Sequence, residues 1–328
     1  MDDVYCPLTS TTPKERYILT HEIINNKRYN TQDNYLKAKF GCKIAKISLN
    51  GGFTCPNRDG TKGVGGCIYC SESGSGDFAG NPCHSVERQF EEVRAGMDKK
   101  WKNAKYMPYF QAGTNTYAPL PVLREKFEAA LSLENVIGLS VATRPDCIEN
   151  DTLEYLAELS KRTYLTVELG LQSVHDRTGE IINRCCSYAE FLDCYNRLSD
   201  KGINTCVHLI NGLPGEDRDM MLESVHKVAL LRPHSVKLHM LHIIKGTVCE
   251  HMYLDGKVDI FTLEDYVNLV CDELEMLPWE TVIQRITGDG ARDTLVAPLW
   301  SVKKFDVING VDREMNRRGA FQGDKFDG

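Results

Sequence analysis

The stretch Gly51-Gly-Phe-Thr-Cys55-Pro-Asn-Arg-Asp-Gly-Thr-Lys-Gly-Val-Gly-Gly-Cys67-Ile-Tyr-Cys70 sets three cysteines in a glycine-rich loop directly after an apolar run, Ile44 to Asn50. A Cys-x-x-Cys pair lets two thiolates from one tight turn reach the same metal or cluster, and Cys55 upstream closes the chelate. Structural zinc wants a fourth ligand, for which Cys42, Cys83 and His84 are at hand. Spacing alone serves a zinc knuckle and an iron–sulfur cluster with one open iron equally. A loop after the first strand of an α/β protein lies beside its pocket, and that position favours the cluster.

Outward from this loop, apolar runs alternate with amphipathic helical stretches. The runs Ile44 to Asn50, Tyr106 to Ala112, Ile137 to Thr143, Tyr164 to Gly170, Ile203 to Ile210 and Val236 to His242 are short and rich in branched or aromatic residues, and they predict strands. They do not alternate strictly, as expected when both faces are buried. Between them, Val86, Phe90, Val93, Met97 and Trp101 fall on one helical stripe, and Ser187 to Glu190 is a capping box for a helix ended by Gly202. Further helices are expected around Leu153 and Leu156, from Asp217 to near Pro233, and from Thr262 to just before Pro278. A βα order repeated about six times predicts a parallel sheet with right-handed crossovers. The fold class is α/β, a partial (β/α)6 TIM-like barrel in preference to an open doubly wound sheet. Residues 1–40 read as a polar, irregular N-terminal extension, 41–250 as the barrel, and 251–328 as a C-terminal extension packed on it, with a strand at Val282 to Ile286.

The chain has 328 residues, a formal net charge of -7 and 42% hydrophobic residues, which exclude a disordered chain and a generally basic nucleic-acid coat protein. No run approaches a membrane span and the first residues lack a signal-peptide pattern, so the expected location is cytoplasmic, with no membrane partner. Thirteen cysteines without such a signal read as reduced thiols, some of them metal ligands.

With these residues in view, the chain resembles the radical S-adenosylmethionine (SAM) superfamily. The phrase GFTCPNRDGTKGxGGCxYC is similar to the YhcC/YtqA-type bacterial radical SAM proteins, and the longer cysteine spacing resembles that of the elongator catalytic subunit. The likeness runs from about Phe40 to Trp300. It implies that Cys55, Cys67 and Cys70 hold a [4Fe-4S] cluster, with SAM on the open iron and Tyr69 beside it. Reductive cleavage of SAM, with an electron from flavodoxin or ferredoxin, then gives a 5′-deoxyadenosyl radical.

The resemblance also implies SAM contacts at later strand ends. The turn Gln111-Ala112-Gly113-Thr114 corresponds to the segment that binds the SAM amino group, although its usual acidic end is missing. Thr143-Arg144-Pro-Asp146 resembles the elongator-type TRPD signature, though a proline there also simply stops a strand. Glu168 and Gln172 belong to an ELGxQS segment whose polar side chains reach SAM, while Glu168 equally suits a buried partner for an arginine. Arg184 corresponds to a partner of the SAM carboxylate, with Cys185-Cys186 where the family has Gly-His. Leu213, in Leu209-Ile-Asn-Gly-Leu-Pro-Gly-Glu216, corresponds to the adenine-side segment. His208, His239, His242 and Lys245 stand on or after late strands, where a barrel-mouth role competes with a structural hydrogen bond. Arg285 to Gly290 and Ala297 to Trp300 resemble the C-terminal signature of the same group, a turn suited to closing over substrate.

Likeness to the elongator subunit implies a tRNA substrate, with remodelling of a C5 side chain on the wobble uridine. Lys303, Lys304, Arg313, Arg317 and Arg318 are candidates for phosphate contact, against a solvated helix face of mixed charge. A radical SAM enzyme acting on a small metabolite or a protein, and a zinc-stapled barrel, are the alternatives.

Overall fold

The computed structural model describes residues 27–74, 76 and 78–328; the first part of the expected N-terminal extension lies outside them. Seven strands form one parallel sheet in chain order: β1 (Ile44–Leu49), β2 (Lys105–Phe110), β3 (Gly138–Thr143), β4 (Tyr164–Gln172), β5 (Asn204–Asn211), β6 (Ser235–Met240) and, after the short strand β7 (Ile243–Ile244), β8 (Val282–Arg285). β7 pairs with β9 (Leu295–Ala297) in a separate antiparallel ribbon. Neighbours in sequence are neighbours in the sheet, with helices on its outer face, so the twist accumulates in one sense and curls the sheet into a half-barrel. The curl is deep enough that Lys46 Nζ on β1 lies 2.9 Å from Gln284 Oε1 on β8.

The partial barrel expected from the βα order is the observed architecture, extended by a seventh strand from the C-terminal segment. The edge of β8 is covered by the chain before the first helix, where Ile283 N donates to Asn30 O at 2.7 Å and Thr31 forms a parallel bridge to Ile283. Residues 32–40 are not irregular: Gln32–Phe40 is a helix, begun by Thr31 Oγ1 accepting from Asn34 N and ended by Gly41 in the left-handed conformation. The helix Tyr188–Asp200 carries the anticipated capping box of Ser187 and Glu190.

Strand residues are buried on both faces, and the outer helices close the core by packing Phe90, Phe127, Leu156, Phe191, Val228 and Tyr266 against the sheet. One carboxyl group is enclosed in that packing. Glu273, on the helix Leu263–Met276, is fully buried; its Oε2 accepts from Asn211 Nδ2 at 3.1 Å, and Oε1 has no partner among the described residues. Burial pushes its carboxyl up to about 8. A carboxyl raised on folding favours the folded state fully below its ordinary value, and that favour is lost as pH rises towards about 8. The neutral isostere Glu273→Gln is therefore expected to gain about 1–3 kcal/mol over the native chain as pH rises from 5 to 8. Urea unfolding at both pH values checks this; a difference that does not change with pH would contradict it.

Candidate active site

The carboxyl ends of the strands open into a cavity of about 330 Å³. Cys55, Cys67 and Cys70 all line it, and so do Tyr69, Gln111, Gly113 and Thr114. The inner wall brings Thr143, Arg144, Glu168, Gln172, Arg184 and His208 to the same space. Ala112 and Leu213 do not line it. Ala112 is buried under Gly76, where a Cβ would come within 2.5 Å of its own methyl group, and Leu213 is packed in an apolar cluster with Ile68, Ile182 and Leu241. Lys245 is exposed and likewise stands outside the cavity lining.

The cysteine loop is held by its own backbone and by two side chains the sequence did not single out. Arg58 N and Asp59 N donate to Cys55 O, and Cys70 N donates to Cys67 O at 3.0 Å. The Arg58 guanidinium reaches Glu72 O at 2.8 Å and also donates to Ser71 O, tying the two halves of the loop together. The Asn57 amide donates to Asn183 O and stands 3.7 Å from Cys67 Sγ. Gly113 seats the neighbouring turn, with φ +70°; a Cβ on it would lie 2.4 Å from Phe53 O. Only glycine fits so close to the cysteine-loop backbone.

This donor set fits a cluster better than one ion. Among the described residues, the groups of three or more His, Cys, Asp and Glu with ligand atoms within 4.8 Å of one another are Glu168–Cys206–His208 and Asp146–Cys186–Glu190. The three loop cysteines are in neither group, so no compact single-ion site with a fourth ligand is formed around them among the described residues. Cys42, Cys83 and His84, the expected fourth zinc ligands, are outside the cavity lining, and His84 is 3.1 Å from Glu92. A hydrogen bond from Cys70 pulls the Cys67 thiol below its ordinary value; Tyr69 and the Arg144 guanidinium act the same way against burial.

The TRPD segment braces the mouth. Arg144 forks onto Asp146 with bonds of 2.9 and 2.8 Å and donates to the carbonyls of Arg184 and Cys185, while Lys62 of the cysteine loop reaches Asp146 at 2.7 Å. Arg184 is nearly enclosed and spends Nε and Nη1 on the carbonyls of Cys186, Leu171 and Ser173, so in this arrangement it orders the strand-four exit. Gln172, Asn183 and Cys185 have positive φ. Of these only Gln172 lines the cavity, and a positive φ at a non-glycine residue there is the kind of local strain that surrounding contacts sustain at working sites.

Deeper in the half-barrel, Glu168 is 0% exposed and is surrounded by donors from four strands. Oε1 accepts from Lys46 at 2.6 Å and from Ser140, and Oε2 accepts from His208 Nε2 at 2.8 Å and from Lys237. Burial alone would raise this carboxyl; the two ammonium groups and the His208 bond overcome it and hold it well below the ordinary range. Its partners are lysines, where an arginine was one expectation. Burial and Lys237 push His208 down to about 4, so it donates as a neutral imidazole. His239 and His242 also line the cavity and are lowered by burial.

Lys46, Lys237 and Tyr109 were missed in the sequence. The signal available was a charged residue inside an otherwise apolar strand, Ile44-Ala-Lys46-Ile and Val236-Lys237-Leu238. The basic C-terminal residues are largely consumed within the protein: Arg318 bonds Asp272, Glu275 and Glu314, Arg317 bonds Glu314, and Lys304 faces Asp289. These three have acidic partners within the protein, as a mixed-charge helix face would.

A curled parallel half-barrel with three loop cysteines over a polar cavity defines a class, and the chain belongs to the radical SAM superfamily: that family's model matches residues 54–228, and the radical SAM C-terminal domain model matches 233–317. The cofactors of this family are a [4Fe-4S] cluster and SAM. Uncharacterized protein YtqA of Bacillus subtilis is 50% identical over 92% of this chain and 93% of its own length. The tRNA uridine(34) acetyltransferase of Methanocaldococcus jannaschii is 25% identical over 56% of this chain, which spans 33% of that protein. Among solved structures, the N-terminally truncated Elp3 of Methanocaldococcus infernus superposes with a TM-score of 0.62 at 17% identity, covering 85% of this chain and 64% of that one. Among the described residues, no helix is long and apolar enough to cross a membrane.

Proposed function

We propose that this protein is a radical SAM enzyme that modifies tRNA at the C5 side chain of the wobble uridine. The observation that carries the first half is the convergence of Cys55, Cys67 and Cys70 on a cavity whose wall also carries Glu168, His208 and Lys237. When bound, the cluster and SAM supply one-electron cleavage and hydrogen-atom abstraction at an unreactive carbon. In this reading the three thiolates hold the cluster and the Asn57 amide donates towards Cys67. Tyr69, the Gln111 to Thr114 turn, Thr143 and Gln172 orient SAM, Arg184 holds the strand-four exit beside them, and Glu168 with His208 fixes the inner wall. The half-barrel wall excludes water from the reacting atoms. The electron comes from a flavodoxin or ferredoxin class donor.

The tRNA half rests on the relationship to a tRNA uridine(34) acetyltransferase, which is 25% identical over 187 residues of this chain. Comparing the modified nucleosides of tRNA from cells with and without the gene tests it. The expected result is a change confined to the C5 substituent of the wobble uridine; an unchanged nucleoside profile would turn the reading towards a small metabolite or protein substrate.

A further inference from the structure

Lys237 lines the cavity with its side chain only 7% exposed, and its ammonium group meets the Tyr109 hydroxyl at 3.2 Å and Glu168 Oε2. Lys46 approaches the same carboxylate from β1 and also meets Ser140 and Gln284. Among the described residues, the remaining groups facing Lys237 do not balance the charge. Arg285, its register partner on β8, is ion-paired with Asp289 at 3.1 Å. Burial pushes the Cys206 thiol up to about 12, and His208, His239 and His242 are neutral at pH 7. Among the described residues two lysines therefore share one carboxylate, which leaves one positive charge beside the cavity. His242 Nε2 is buried on the same wall without a partner among the described residues.

A buried cation without its own counter-ion is costly, and the cost falls when a matching anion arrives. Burial pulls the Lys237 ammonium down to about 8, so it is charged at neutral pH but poorly compensated. Resting on the function proposed above, we infer that the inner end of the cavity binds a carboxylate on the part of the substrate that enters the barrel, with Lys237 as its cation. A backbone phosphate is flanked by ribose on both sides, whereas a carboxylate at the tip of a side chain is the anion that can extend to a mid-strand ammonium. In the function proposed above the amino acid end of SAM would be held beside the cysteines, so SAM would not be this anion.

The probes are 5-carboxymethyluridine and its uncharged methyl ester, which differ in one charge and contain no phosphate. Binding of each to the reconstituted, SAM-loaded protein is measured by calorimetry at pH 7 and pH 9. The carboxylate is expected to bind about tenfold more tightly than the ester at pH 7. That preference shrinks at pH 9, as Lys237 loses its proton, and is absent in Lys237→Met. Equal affinities in the native protein, no measurable binding of the carboxylate, or a preference that survives Lys237→Met would overturn the inference. The native comparison needs no variant, so it stands even if Lys237→Met folds poorly. Reductive SAM cleavage by the native protein without nucleoside separates the two failures. No cleavage refutes the enzyme reading itself, whereas cleavage without charge preference refutes only the carboxylate site.

Discussion

Glu168→Ala is expected to destabilise the protein by about 3–5 kcal/mol, the cost of leaving a buried charge without its partner. Its carboxylate neutralises ammonium groups on β1 and β6 and accepts from β3 and β5, so one truncation strands Lys46 and Lys237 together inside the half-barrel. Set against a total stability of about 5–15 kcal/mol, such a loss lowers the thermal midpoint by roughly 5–10 °C. The pH dependence has a fixed sign. A carboxyl lowered on folding stabilises fully above its ordinary value, and that contribution fades as pH falls through that value towards the lowered one. The variant and the native protein therefore converge in acid. Adding Lys237→Met to Glu168→Ala removes one stranded charge and is expected to recover part of the loss, which a double-mutant cycle reads directly. Additive losses would mean that the two side chains are not coupled as their geometry indicates.

Single replacement of Cys55, Cys67 or Cys70 by alanine is expected to reduce SAM cleavage to background while leaving the fold largely intact. The three thiolates are borne by a loop at the rim and not by the core, which is built around the strands and outer helices. Losing one ligand of three leaves a second iron open, and the iron content after reconstitution is expected to fall from about four per chain to below about one. Cys185→Ala and Cys83→Ala, at exposed thiols, serve as comparisons. Activity retained in a Cys67→Ala variant would remove this residue from the ligand set.

The fold was largely legible because its information is local. Six apolar runs predicted β1 to β6 within about two residues at each end, since short, branched, doubly buried strands separated by capped helices leave a repeating trace. The less visible elements lacked that trace. The helix Leu120–Leu131 begins at proline without a side-chain cap, and Gln32–Phe40 is too polar to stand out from its charged surroundings. That β8 extends the main sheet was hidden, because pairing is set by the curl and not by the strand's own residues.

The site divides in the same way. The cysteines, Arg144 and Gln172 could be placed at the cavity because a motif at a strand end has a predictable position. Lys46 and Lys237 could not: their meaning depends on Glu168, 122 and 69 positions away, and on the register that points all three inward. Leu213 shows the converse, since a residue inside a matching motif can serve the apolar packing behind the wall.

The central claim, that the cysteine loop carries a radical SAM centre, is tested most directly by iron, sulfide and zinc analysis of the anaerobically reconstituted protein, with an electron-spin spectrum of the reduced form before and after SAM. About four irons and four sulfides per chain, with a signal shifted by SAM, are predicted. Stoichiometric zinc with no response to SAM would contradict it.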